Sequence, residues 1–417
     1  MHKFPNNGTN PEEERSNMKM EGEKAIMRDQ QEPRDTFRIA YLIHFLLGVG
    51  NLLPWNASIT AVDYFGYLYP TRHVEKVFSV AYMTSSVLLL VLMIAWDGWS
   101  KKTSFRFRMN MGFSLFILSI LVSPIMDWAS SMTSSRWRPN EAYSVIVASV
   151  VACGLADGLV AGSLIGSAGR LPKQFMQAVF AGTASSGVLV SILRIITKAS
   201  LSQSPKGLQK SAHLYFIVGA SILFCCIVSC NLLCKLPVMQ HYYRDLLDEP
   251  PCSKSKFWMV VGKIRWPAFG IFITYVVTLS IFPGFIAEDL ESKLLQDWYP
   301  ILLITIYNIA DLVGKSLTAI YILKNIKKAT WFCISRLLFY PLFMACIHGP
   351  RWLKTELPVI VLTFLLGLSN GYLTSVIMIS TPKLLPASEA ELSAIVMVVF
   401  LGIGLVGGSV LGWFWIL

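Results

Sequence analysis

The run Trp298-Tyr-Pro-Ile-Leu-Leu-Ile-Thr-Ile-Tyr-Asn-Ile-Ala-Asp-Leu-Val-Gly-Lys-Ser316 decides how the chain is built. Continued to Leu323, it is apolar and long enough to cross a bilayer, for which a helix needs roughly 20 residues. Near its middle stand an aspartate and a lysine four residues apart, Asp311 and Lys315. Four residues is just over one helical turn, so both side chains share a face. A charge at the bilayer centre costs roughly 2.5–3.5 kcal/mol on insertion scales. That face must therefore meet protein or water, and it is the first place to look for a polar cargo. Tyr307 and Asn308 extend the strip by one turn. A phenol, an amide, a carboxylate and an ammonium suit a ligand with several hydroxyls. The same charge pair also suits a purely structural bridge between helices.

Outward from this run the pattern repeats. Eleven apolar stretches of spanning length occur, at 38–65, 75–97, 107–129, 141–168, 174–198, 211–235, 266–287, 298–323, 329–348, 357–380 and 390–416. The chain has 417 residues, 54% hydrophobic and 15% charged, with a mean hydropathy of +0.54. Soluble domains carry about 25% charged residues, so the composition specifies an all-α integral membrane protein. Residues 1–35 are polar and mixed in charge, and they read as a disordered cytosolic tail without a signal peptide.

Loop charge gives the orientation. Lys101, Lys102, Arg106 and Arg108 follow the second run, Arg170 and Lys173 the fourth, and Lys324, Lys327 and Lys328 the eighth. Glu288, Asp289, Glu291 and Asp297 make the loop after the seventh run acidic. The positive-inside rule then places the N-terminus in the cytosol and, with eleven spans, the C-terminus outside. The net charge of +11 is dispersed over these loops, so nucleic acid is not the partner it points to. The polar loop 236–265 divides the chain into a six-helix bundle, 36–235, and a five-helix bundle, 266–417. Two bundles joined this way suit a carrier of pseudo-symmetric halves, although no convincing primary-sequence repeat relates them. The eight cysteines have no metal-ligand spacing and read as reduced thiols.

Several residues break the apolar pattern. Gly154, Gly158, Gly162 and Gly166 bare one stripe of the fourth helix, Gly367 and Gly371 of the tenth, and Gly404, Gly408 and Gly412 of the last. Such stripes let a neighbouring backbone approach closely. Asp157 borders the first stripe. It reads either as a buried hydrogen-bonded acid or as a proton carrier or substrate contact, and Asp311 is the other candidate for proton coupling. Pro54 cannot donate to the carbonyl of Gly50, which loosens or kinks the first helix ahead of Trp55 and Asn56. A flat ring beside an amide suits a heteroaromatic base, or simple packing. Arg194, Lys198 and Arg336 lie near helix ends and read as snorkelling cations, Arg336 alternatively as a gate contact. Ser369, Asn370, Tyr372 and Thr374 form a mid-depth polar island. No HExxH, P-loop or histidine cluster suggests an enzyme, a metal or a cofactor.

Six segments together resemble the equilibrative nucleoside transporter family, its plant members most closely. They are Leu52-Leu-Pro-Trp-Asn56, Gly162-Ser-Leu-Ile-Gly166, Phe282-Pro-Gly284, Asp311-Leu-Val-Gly-Lys-Ser-Leu-Thr318, Arg336-Leu-Leu-Phe-Tyr-Pro341 and Ser369-Asn-Gly-Tyr-Leu-Thr374. The resemblance implies a major-facilitator-like fold of 6+5 bundles around a cavity that opens alternately to each side. It implies nucleosides such as adenosine and uridine as cargo, with Trp55, Asn56 and Phe282 near the base and the Asp311 strip at the ribose. Ser163 and Asn370, inside the shared motifs, join the expected binding set of Tyr307, Asn308, Asp311 and Lys315. Two departures stand out. Ala161 occupies a position where the family often has a base-binding glutamine, and Lys315 one where it often has arginine, which loses a planar fork. The expected function is a nucleoside carrier, either uniporter or proton symporter, in the plasma membrane or next a vacuolar or other endomembrane. The alternatives are a carrier of nucleobase, cytokinin riboside or sugar, and a nucleoside receptor that does not transport.

Overall fold

The structure is a computed structural model that describes residues 38–95, 103–133, 139–202, 204–241, 254–282, 292, 294–350 and 355–414. The expected tail, the middle of the 236–265 loop, the acidic residues 288, 289 and 291, and the Pro283-Gly284 part of the seventh-run motif lie outside the described residues. Among the described residues every regular element is helical. In order they are α1 (Ile39–Thr60), α2 (Val62–Leu68), α3 (Val74–Ala95), α4 (Phe105–Thr133), α5 (Pro139–Arg170), α6 (Lys173–Ser200), α7 (Pro205–Leu233), α8 (Lys254–Ile281), α9 (Tyr299–Leu317), α10 (Ile326–Ser335), α11 (Phe339–His348), α12 (Glu356–Ser380) and α13 (Ala387–Phe414). Eleven spans result, with α10 and α11 counted as one and the seven-residue α2 as none.

Local chemistry explains the boundaries. The first apolar run divides at Ala61 into α1 and α2, while α1 itself passes through Pro54 without interruption. The ninth run is broken by a 3₁₀ turn at Arg336–Leu338. Pro341 causes it, because a proline cannot donate to the carbonyl of Leu337. Ser204 caps α7 by accepting a hydrogen bond from the Gly207 amide, with Pro205 in the first turn where its missing donor costs nothing.

The helices pack as two sets. In the first, α1 lies against α6 and α7, α3 against α5, and α4 against α5 and α7. In the second, α8 lies against α13, α10 and α12, and α9 against α12. The sets meet where α6 touches α9 and where α13 touches α3 and α5.

Bare glycines set the tightest of these contacts. A Cβ on Gly48 would strike the Val179 carbonyl, and one on Gly182 the Phe45 carbonyl, so α1 and α6 are notched into each other. A Cβ on Gly154 or Gly158 would strike the carbonyls of Tyr82 or Ser86 on α3. On α12, Gly367 and Gly371 meet the carbonyls of Tyr307 and Asp311 on α9 in the same way. Without a driving force from water between helices, such backbone contact is what holds membrane helices together.

Candidate functional site

A cavity of about 600 Å³ lies between the two sets of helices. Trp55, Asn56, Asp157, Phe282, Tyr307, Asn308, Asp311, Lys315 and Asn370 all line it, as does Ala161. It reaches from the depth of Lys315 to Asp63, whose side chain is 51% exposed. At the opposite end the two sets are tied together. Arg170 pairs with Glu391 at 3.0 Å, and the Lys383 ammonium donates to the carbonyl of Leu171 at 2.5 Å and to that of Gly169 at 3.4 Å.

The Asp311 strip is one part of a polar network. Asp311 Oδ2 pairs with Lys315 Nζ at 2.8 Å, and Oδ1 accepts from Asn370 Nδ2 at 2.8 Å. Thr278 donates to Asn370 Oδ1 at 2.9 Å, and Arg336 donates to Thr278 Oγ1 at 2.7 Å and to Ser369 Oγ at 2.7 Å. Lys315 reaches Thr183 on α6 at 3.4 Å. Five helical elements thereby converge on one buried ion pair. Taking these charges out of water is costly unless their donors and acceptors find partners, and the network supplies both oxygens of Asp311 and the ammonium of Lys315, while Arg336 Nε is left without one. A carboxylate has about four lone-pair sites, so Asp311 keeps capacity for a hydroxyl arriving from the cavity.

The structure corrects two expectations here. Arg336 is 2% exposed and does not snorkel: the turn before Pro341 directs it inward onto Thr278 and Ser369. Ser163 is buried outside the cavity lining, because Arg108, expected in a basic loop, turns inward and donates to Ser163 Oγ at 3.0 Å. Arg194 is held by Asp63 at 2.6 Å and by the Thr60 carbonyl at 2.7 Å, and Lys198 lies 5.6 Å from the centre of the Trp298 ring. The amides also have partners: Asn56 donates to Ser186 at 2.8 Å, and Asn308 to Ser191 at 2.8 Å.

The opposite wall repeats the Asp311 arrangement in other residues. On α5, Gly154-Leu-Ala-Asp-Gly158 packs on Tyr82 and Ser86 of α3; on α12, Gly367-Leu-Ser-Asn-Gly371 packs on Tyr307 and Asp311 of α9. Each pair of glycines frames a polar residue that bonds across its contact: Ser86 donates to Asp157 Oδ2 at 2.6 Å, as Asn370 donates to Asp311. Each tyrosine carries an aromatic neighbour. Trp55 lies 4.8 Å from Tyr82 at 39°, and Phe282 stacks on Tyr307 at 3.8 Å and 16°. The repeat was present in the sequence as a glycine pair four apart with a polar residue before the second glycine. Five positions in two hundred do not stand out until the packing partners are known.

Known proteins give the following comparisons. The family model described as "Nucleoside transporter" matches residues 147–253 and 246–417. Equilibrative nucleotide transporter 8 of Arabidopsis thaliana is 63% identical over 398 residues, 95% of this chain and 100% of that protein. Equilibrative nucleotide transporter 1 of the same plant is 48% identical, over 92% of this chain and 88% of its own. Among solved structures, a bacterial homologue of the iron transporter ferroportin in its outward-facing state aligns with a TM-score of 0.60 at 12% identity, covering 89% of this chain and 92% of that one. A proton:xylose symporter of the major facilitator superfamily aligns at 0.57 and 13%, covering 90% and 86%. At such identities the likeness is one of fold, and it is a major-facilitator fold.

Proposed function

Because this chain belongs to the nucleoside transporter family and is a multi-pass membrane transporter, we propose that it carries nucleosides by alternating access of the central cavity. The observation that supports this most is the division of the cavity wall. Trp55 and the Phe282–Tyr307 stack offer ring faces for a base, and Asp311, Lys315 and Asn370 offer partners for sugar hydroxyls.

The relatives' names speak of nucleotides, and the charges favour the uncharged nucleoside for this chain. Three acids, Asp63, Asp157 and Asp311, line the cavity beside three cations. Each cation already has a partner: Arg194 has Asp63, Lys315 has Asp311, and Lys198 has the Trp298 ring. A phosphate needs unengaged cations or backbone amides, and an additional anion here would meet Asp157. With the N-terminus in the cytosol, as the loop charges suggest, the open Asp63 end faces outward and the Arg170–Glu391 end is the closed inner side. The plasma membrane is the membrane we favour.

The test is uptake of labelled adenosine and uridine into cells without nucleoside carriers of their own, at two external pH values. Saturable uptake of either supports the reading. Binding without flux would make the protein a receptor, and the absence of both binding and flux would overturn the proposal. Uptake indifferent to pH and to a protonophore makes it a uniporter.

A further inference from the structure

The two walls of the cavity differ in one respect. Asp311 has its cation four residues along the same helix, whereas Asp157 has none: Ser86 holds Oδ2 at 2.6 Å, and the residue one turn beyond Ser86 is Leu90. Asp157 nonetheless faces the cavity. The phenol of Tyr82, 2% exposed, lies against the same carboxylate and interacts with it, although outside strict hydrogen-bond geometry. Tyr82 in turn supports Trp55, the ring on which a base would stack. One turn further along α5, Ala161 leaves the wall bare. A carboxylate with no cation beside it, and with Oδ1 not held by Ser86, thus stands at the edge of the aromatic surface next to the Tyr82 hydroxyl.

We propose that Asp157 selects the base. Its Oδ1 accepts a hydrogen bond from bases that present an exocyclic amino group, as cytosine, adenine and guanine do, and it disfavours uracil, which presents a carbonyl oxygen where cytosine presents that amino group. The chemistry is that of a site built around one polar partner: an analogue lacking the matching donor leaves a buried acceptor unpaired, and discrimination comes from that loss. Oδ1 acts as the acceptor in the ionised carboxylate, whose other oxygen accepts from Ser86. The proposal rests on the nucleoside reading of the cavity.

Cytidine and uridine share the sugar and the ring and differ at C4, amino against carbonyl, and at N3, acceptor against N–H donor, so they are the probes. Uptake of each at limiting concentration is measured with wild type, Asp157→Asn and Tyr82→Phe, with the amount of each protein at the membrane. Wild type should prefer cytidine by roughly tenfold, the size of one hydrogen bond to a charged group. Asp157→Asn, which adds a donor, should remove or invert the preference. Tyr82→Phe keeps the ring on Trp55 and removes the hydroxyl that lies against Asp157, so it should alter the preference while leaving the acid in place, and it decides the matter if Asp157→Asn fails to fold. An unchanged cytidine-to-uridine ratio in the variants overturns the assignment, as does a variant that loses only its response to pH. Absence of any nucleoside uptake by wild type removes the reading beneath it, and this assignment with it.

Discussion

The contact of α3 with α5 and that of α9 with α12 are built alike and charged differently. In both, glycines four apart seat one helix on the carbonyls of the other, and a side chain between them bonds across the join. At the α9–α12 join the acid is on the helix that supplies the carbonyls, and Lys315 and Asn370 engage both its oxygens. At the α3–α5 join the acid is on the glycine helix, where Ser86 holds one oxygen and the Tyr82 phenol lies nearby, with no cation to pair it. The difference teaches that packing and recognition are separable here. The glycines fix where the polar residue stands, and its chemistry is free to vary. One wall is suited to grip a constant part of a cargo, the other to discriminate a variable part.

The largest expected effect breaks the better-satisfied wall. Asp311→Asn should bring uptake to background with the protein still at the membrane. Removing one partner of a buried pair costs roughly 3–5 kcal/mol, so Asp311→Asn combined with Lys315→Met is the companion variant. The double variant should regain thermal stability without regaining transport; near-normal transport in it would leave the pair as structure only.

Next come the glycines, which test whether both joins are equally tight. Gly158→Ala and Gly371→Ala each place a Cβ on a backbone carbonyl and should destabilise by roughly 1–3 kcal/mol, as overpacking does. Gly262, with nothing within 4 Å of where a methyl would stand, should accept alanine with no loss. Thermal unfolding of purified protein reads all three, and equal melting would refute the account of the joins.

The smallest effect sharpens the discriminating wall. Ala161→Gln adds an amide one turn from Asp157 and should strengthen base-dependent uptake by about threefold, a weak net hydrogen bond. No change in uptake would mean that position 161 does not meet cargo.

Much of this was legible in the sequence. Apolar run length gave the spans, and the Asp311–Lys315 spacing gave one polar face. The spacing of Gly154 and Gly158 indicated close packing, and Asp157 beside it was visible as an acid at membrane depth. What the sequence did not reveal depends on partners distant in the chain. Ser163 shares a motif with cavity residues, but Arg108, fifty-five positions away, draws it aside. Arg336 looked like an interfacial cation because its acceptors, Thr278 and Ser369, sit on two other helices. The likeness of the two joins was hidden because the matching side chains trade places across the contact, Ser86 for Asp311 and Asp157 for Asn370.

The closed end carries one more consequence. A helix leaves its last carbonyls without intrahelical donors, and at the end of α5 a lysine from the other helical set serves Gly169 and Leu171. The ammonium also lies at the negative end of that helix's dipole. Parting the two sets there uncovers carbonyls that only solvent can then serve. In the alternating access proposed above, opening this end is a hydration reaction as well as a rearrangement of helices, and low water activity would favour the state with it shut.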